Sequence, residues 1–169
     1  MMRILWVLSL LIATSSLNAT TTAPTRLDDA EIRTFLTHIY TSYKECSGKL
    51  PCIDPVPWRT VFTPATSRLI SVNERLNAFE AGAATDADPI CQCQDYHTIK
   101  LISITLSSWP HKRIRAVVRF INAQPQQISL LMEKTPAGWR VYDVLGAPGS
   151  LSYRDGVIAE NRSLTKVAH

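Results

Sequence analysis

The chain has 169 residues, 46% of them apolar and 19% charged, which supplies one buried core and excludes a disordered chain. Its formal charge of +4 and pI near 9.0 make it mildly basic. It lacks the dense Lys/Arg clustering of a dedicated nucleic-acid binder, so no nucleic-acid partner is expected.

The N-terminus opens with Met1-Met2-Arg3 and continues into an apolar run of ten residues from Ile4 to Ala13. Ser15-Ser16-Leu17-Asn18-Ala19 then places a small residue at a cleavage point after Ala19. This pattern reads as a signal peptide over residues 1–19. The apolar run is shorter than the roughly 20 residues a membrane span requires. No cysteine precedes Cys46, which argues against a lipid-modified N-terminus. The expected organisation is a flexible linker over 20–26, one domain over 27–164 and a tail over 165–169. The expected location is periplasmic or secreted, with no membrane anchor after cleavage.

Leu27-Asp28-Asp29-Ala30-Glu31-Ile32 predicts a helix start, with Asp28 as cap and Leu27 stapled onto Ile32. Ile32, Phe35, Leu36, Ile39, Tyr40 and Tyr43 recur at helical spacing and form its apolar face. His38 lies off that stripe and reads as a surface histidine. Residues 46–58 form a Cys/Pro-rich loop. Thr63-Pro64 starts a second helix, with Leu69, Val72, Leu76 and Phe79 as its inner stripe and Gly82 as its end. Residues 80–96 read as irregular.

Four strand-like runs follow, at about 97–107, 111–122, 126–134 and 138–145. Trp109-Pro110-His111, Gln124-Pro125 and Thr135-Pro136-Ala137-Gly138 are the turns between them. Such short connections make antiparallel hairpins. A short helix is expected between Ser150 and Leu164. One sheet face is apolar, and the helices are its available cover. The expected fold is therefore α+β, with N-terminal helices packed on a curled four-stranded antiparallel sheet in a cone-like arrangement.

Cys46, Cys52, Cys91 and Cys93 are an even set in a chain marked for export, which predicts disulfides. Bonds tying the Cys46/Cys52 loop to the Cys91/Cys93 loop are favoured, because Cys91–Cys93 closes a tight ring; a local Cys46–Cys52 pair is the alternative. Neither C-x5-C nor C-x-C has zinc-ligand spacing, and no C-x-x-C redox pair is present.

The helix–helix–meander order and the final strand, Gly138-Trp139-Arg140-Val141-Tyr142-Asp143-Val144, resemble the cone-shaped fold of nuclear transport factor 2 and ketosteroid isomerase. More narrowly, Asp86-Ala87-Asp88-Pro89-Ile90, Gln94-Asp95, that same strand and Ser150-Leu151 resemble a bacterial exported family of that superfamily with no assigned function. The resemblance covers roughly residues 27–160 and implies a fold, not a reaction.

Three groups are candidate sites. Asp86, Asp88 and Asp95 form an acidic loop that calcium would suit, but it lacks EF-hand spacing and reads better as turn-capping. Tyr40, Tyr43, His97 and Asp143 are candidates for a pocket inside the cone, the place where enzymes on this scaffold keep their acid–base groups. Asp143 is expected on the same face as Trp139 and Val141, either pointing inward or sitting at the strand end in contact with an arginine. Arg113, Arg115 and Arg119 share one face of the second strand, with Arg140 as a fourth member, and suit an acidic protein surface or anionic polymer. Asn161-Arg162-Ser163 is a formal glycosylation sequon, relevant only in a eukaryotic secretory host. No nucleophile-elbow, zincin or P-loop motif is present, and no cofactor is implied. The expected function is a non-enzymatic binding domain with a protein partner, such as an immunity or inhibitor protein against an envelope-acting toxin or enzyme. The alternative is a small-molecule pocket protein or an isomerase-type enzyme.

Overall fold

The computed structural model describes residues 25–45, 58–77, 87–93 and 99–167. The export segment, the Cys46/Cys52 loop, Phe79, Gly82, Asp86, Asp95 and His97 lie outside the described residues. Helix α1 (Arg26–Glu45) is followed by a short α2 (Trp58–Val61) and by α3 (Pro64–Leu76). Strands β1 (Lys100–Trp109), β2 (Arg113–Asn122), β3 (Gln124–Thr135) and β4 (Gly138–Leu145) come next, and α4 (Tyr153–Val167) closes the chain. The fold is α+β, and its sheet is an antiparallel meander in the order β1-β2-β3-β4.

Helix α1 starts at Arg26, three residues before a cap at Asp28 would place its first residue. Thr25, not Asp28, is the cap: its Oγ1 accepts from the Asp28 N–H at 3.2 Å and donates to Asp28 Oδ2 at 2.7 Å. Thr25 is thus a side-chain N-cap, and Asp28, at the third helical position, accepts from the capping hydroxyl. Leu27 is 68% exposed and staples nothing. Asp28 has a second task, because its Oδ1 accepts from Trp139 Nε1 and from Lys134 Nζ, both at 3.3 Å. The helix start is thereby pinned to the β3–β4 hairpin. The Thr25 hydrogen bond holds the Asp28 carboxyl below the usual carboxylate range, and Lys134 and Trp139 act in the same direction.

The apolar stripe of α1 behaves as its period dictates. Ile32, Leu36, Ile39, Tyr40 and Tyr43 are buried in one cluster with Ile104, Ala116, Val118, Phe120, Leu130, Met132 and Val141 of the sheet. Burying each of the large aliphatic side chains among them contributes about 1.5–3 kcal/mol. His38 is exposed.

Helix α3 is capped by Thr63, whose side chain accepts from Thr66 N, with Pro64 in the first turn. Its buried face differs from the expected Leu69/Val72/Leu76 stripe. Thr66, Ile70 and Asn73 are buried instead, while Leu69, Val72 and Leu76 are half-buried. The reason is α4, which brings polar partners to that face. Asn73 Nδ2 donates to Asn161 Oδ1 at 2.9 Å and to Glu160 Oε2 at 3.1 Å. Asn77 Nδ2 reaches Glu160 Oε1 at 3.1 Å. Asn161 Nδ2 donates to the Leu69 carbonyl, so the sequon's acceptor nitrogen is buried and occupied in the folded chain.

The strands run close to expectation, with two corrections at turns. The β1–β2 turn places His111 and Lys112 at positive φ, 61° and 58°. Gln124 and Pro125 are not a turn but belong to β3, and the chain reverses at Ala123, whose φ is 59°. Asn122 pairs directly with Gln124, so one left-handed residue does the turning. Helix α4 spans 15 residues, more than the short helix expected. Ser152 Oγ accepts from the Asp155 N–H at 3.2 Å, the same Ser/Thr-x-x-Asp arrangement that starts α1.

Between β4 and α4 the backbone passes very close to itself at Gly146. A Cβ there would stand 2.5 Å from the Leu151 carbonyl oxygen and against the Ser150 hydroxyl. Gly146→Ala is therefore expected to destabilise the chain by about 1–3 kcal/mol in urea unfolding, the usual cost of overpacking. A midpoint equal to that of the parent chain would show that this connection yields freely.

Candidate functional site

The two tyrosines of α1 spend their hydroxyls on one turn. Tyr40 donates to the Ile90 carbonyl at 2.8 Å, and Tyr43 donates to Asp88 Oδ2 at 2.6 Å. Asp88 Oδ1 accepts from Ile90 N at 2.7 Å and Cys91 N at 3.3 Å, an Asx-type turn started by the Asp88-Pro89 pair. The Asp88 N–H also donates to the Cys93 carbonyl. Within this turn Gln92 takes φ 51°, folding the chain back on itself. Cys91 and Cys93 are consequently 5.2 Å apart at Cα and bonded to each other. The favoured inter-loop pairing is thus replaced by a local one, because the left-handed Gln92 brings neighbours together that an extended C-x-C would hold apart. Cys46 and Cys52 lie outside the described residues.

The acidic loop reduces to Asp88, since Asp86 and Asp95 lie outside the described residues. Its carboxylate is buried and committed to backbone N–H groups and Tyr43. Among the described residues no three His, Cys, Asp or Glu side chains converge as a metal site. Burial raises the Tyr40 hydroxyl far above its ordinary pKa, and the nearby Asp88 charge adds to the effect. Tyr40 is therefore a hydrogen-bond donor at every physiological pH. Tyr40 also packs against Phe120 at 5.1 Å and Tyr43 at 6.0 Å between ring centroids.

Asp143 is on the other side of the sheet. Leu131 pairs with Asp143 while Met132 pairs with Val141, so the register slips by one residue at a bulge. Cross-strand partners share a face. Met132 and Val141 join the core cluster with α1, whereas Leu131 and Asp143 face away from it. The expected grouping of Asp143 with Trp139 and Val141 fails because strict alternation is interrupted. Asp143 Oδ1 accepts from Val144 N at 2.8 Å and from Arg154 N at 2.9 Å, tying the start of α4 to β4. Burial raises its pKa, with the Arg154, Ser152 and Val144 hydrogen bonds opposing that shift. Tyr40 and Tyr43 are thus brought together, Asp143 is not with them, and His97 lies outside the described residues.

A cleft of about 380 Å³ lies between the 88–93 turn and the β4–α4 connection, lined by Asp88, Pro89, Gln92, Val144, Leu151 and Tyr153. Burial raises the Tyr153 hydroxyl pKa, and the charges of Glu74, Asp88 and Glu160 add to it. The cleft therefore offers a neutral phenol beside a committed carboxylate, with no free base among its described residues.

The arginines divide. Arg113, Arg115 and Arg119 face away from Ile114, Ala116, Val118 and Phe120, which are buried. Arg113 Nε pairs with Glu133 at 2.8 Å, and its guanidinium lies 3.4 Å over the Tyr142 ring. Arg115 Nη2 donates to Ser129 Oγ at 3.0 Å and lies over Trp109. Arg119 Nε donates to Gln127 Oε1 at 2.9 Å and is exposed. Arg154, which sequence reasoning missed, lies 5.0 Å over the Tyr142 ring. Arg140 does not join them: it donates to the Trp139 carbonyl and turns to the Phe35 ring on α1.

Comparison with protein-family models finds no match, and no curated protein or solved structure matches the chain. Among the described residues no helix is long and apolar enough to cross a membrane.

Two outcomes follow from these contacts. Tyr43→Phe leaves Asp88 without its phenolic donor and is expected to cost about 1–3 kcal/mol in urea unfolding, with unchanged far-ultraviolet circular dichroism. A smaller loss would mean that the clasp between α1 and the turn is dispensable. For Asp143, the folded pKa lies above the ordinary 3.8, so the folded chain binds this proton more tightly than the unfolded chain. Its contribution is full at lower pH and is lost as pH rises from about 3.8 through the raised folded value. Asp143→Asn keeps an acceptor for both N–H groups and is expected to flatten stability against pH in that window. An unchanged slope would locate the titration elsewhere.

Proposed function

We propose that this chain is an exported, non-enzymatic binding domain with the cone-like arrangement of the nuclear transport factor 2 and ketosteroid isomerase class. It works in the periplasm or outside the cell by seating another protein. An envelope-acting toxin or enzyme that it neutralises is the partner that best suits a small disulfide-bearing domain behind a signal peptide. Residues 1–19 are the support for export.

The observation that carries the non-enzymatic reading is the commitment of each described acid–base candidate to structure. Tyr40 and Tyr43 hold the 88–93 turn, Asp88 caps it, and Asp143 anchors α4 from the opposite face. A general acid or base has to reach a substrate proton within hydrogen-bond distance. Groups already spent on backbone partners on two faces of a sheet do not converge on one reacting atom.

Affinity capture of the chain from the periplasm of its own host, followed by native mass spectrometry, tests the reading. A stoichiometric protein partner whose activity falls on binding is the expected result. A retained small molecule without protein would overturn it in favour of a pocket protein, and the cleft beside Tyr153 would be the place to look.

A further inference from the structure

We infer that the outward face of the sheet, together with the start of α4 beside it, is a docking surface for a carboxylate-rich protein segment, gripped by Arg115, Arg119 and Arg154. The inference rests on the binding-domain reading above. Its basis is the way these guanidinium groups are held. Among the described residues, Arg113 is neutralised by Glu133, whereas Arg115, Arg119 and Arg154 make no ion pair. Each is oriented by a neutral group instead: Ser129 and the Trp109 ring for Arg115, Gln127 for Arg119, the Tyr142 ring for Arg154.

Neutral holders restrict the side-chain rotamers without cancelling the charge. A partner's carboxylates then meet guanidinium groups that lose little further entropy on binding. Uncompensated like charges on one face also steer an acidic partner toward it. Arg115 and Arg119 lie four residues apart on one strand, roughly 13 Å at the usual rise per residue. That interval suits separate side chains on a protein surface.

The surroundings favour a protein over an anionic polymer. The half-buried Val117 lies between the two arginines, Trp109 flanks Arg113 across the strand pair, and Thr105 and Ser107 line the neighbouring strand. Ile102, 55% exposed, stands where the β1–β2 register shifts. Arginine and aromatic groups among apolar and hydroxyl side chains match the composition of protein interfaces. A polyphosphate or nucleic-acid groove calls for a denser run of cations than a chain of net charge +4 carries.

The test is a titration of the isotope-labelled chain with an octa-glutamate peptide, read at the arginine guanidinium and lysine ammonium N–H resonances. The expected result is a saturable shift at Arg115, Arg119 and Arg154, absent with an octa-lysine peptide. Arg119→Glu is expected to weaken the interaction about tenfold. A midpoint of unfolding close to that of the parent chain would show that the variant folds, since Arg119 is exposed. Shifts confined to lysines, or none, would overturn the inference. Tighter binding of inorganic polyphosphate by the same arginines would overturn it in favour of an anionic polymer. Capture from the host separates the two readings. A partner retained equally by the parent chain and by Arg119→Glu leaves the binding-domain reading standing and removes this surface. No partner for either removes the reading itself.

Discussion

Two buried tyrosine hydroxyls set the constraint that organises this molecule. Tyr40 and Tyr43 sit on the stripe of α1 that hydrophobic burial drives inward, so their rings go where Ile32, Leu36 and Ile39 go. A buried hydroxyl without a partner costs free energy comparable to a lost hydrogen bond. The 88–93 turn supplies those partners, the Ile90 carbonyl and the Asp88 carboxylate. Asp88 in turn is tolerable in the interior because Tyr43 and two backbone N–H groups surround its oxygens. The turn, its local disulfide and the helix are therefore one cooperative unit. Tyr40, Tyr43 and Asp88 are joined to one another and to the backbone of the turn.

The bulge at Leu131/Met132 has a comparable reach on the far side of the sheet. By adding one residue to β4 it puts Tyr142 and Asp143 outward while Val141 and Val144 remain in the core. Asp143 then meets the start of α4, and Tyr142 becomes the surface on which Arg113 and Arg154 lie. The long last helix is held at its own start by Ser152 and by a carboxylate from a neighbouring strand. Along its length it exchanges amide hydrogen bonds with α3 through Asn73, Asn77, Glu160 and Asn161. One inserted residue thus links the position of α4 to the chemistry of the outward sheet face.

That face differs from an ordinary solvated one in how its charges are balanced. Surface arginines usually gain little from a neighbouring carboxylate, and their entropy stays high. Arg113 follows the ordinary pattern with Glu133, but Arg115, Arg119 and Arg154 are oriented by a hydroxyl, an amide and a ring. The arrangement keeps their charge available. Among the described residues the tyrosines of α1 are held by the 88–93 turn, and the guanidinium groups of the outward face are held by neutral partners.

Much of the architecture was legible in the residues because it depends on period and punctuation. The apolar spacing of Ile32, Leu36, Ile39, Tyr40 and Tyr43, the Thr63-Pro64 start and the alternation of β2 each report a local preference that burial reinforces. Thr25-x-x-Asp28 and Ser152-x-x-Asp155 are two further local signals, the same side-chain cap at the starts of α1 and α4. The site was less legible. The order of residues alone shows which positions are apolar at which period, that four strands follow the first helices, and that three arginines share one face of β2. Only the tertiary structure decided that Asp143 faces away from the tyrosines, that Arg154 joins the arginines while Arg140 leaves, and that Cys91 meets Cys93. These outcomes depend on a register shift, on the packing of α4 and on one left-handed residue. Each is a balance among groups distant in sequence or a single backbone dihedral, and neither leaves a periodic trace in the order of residues.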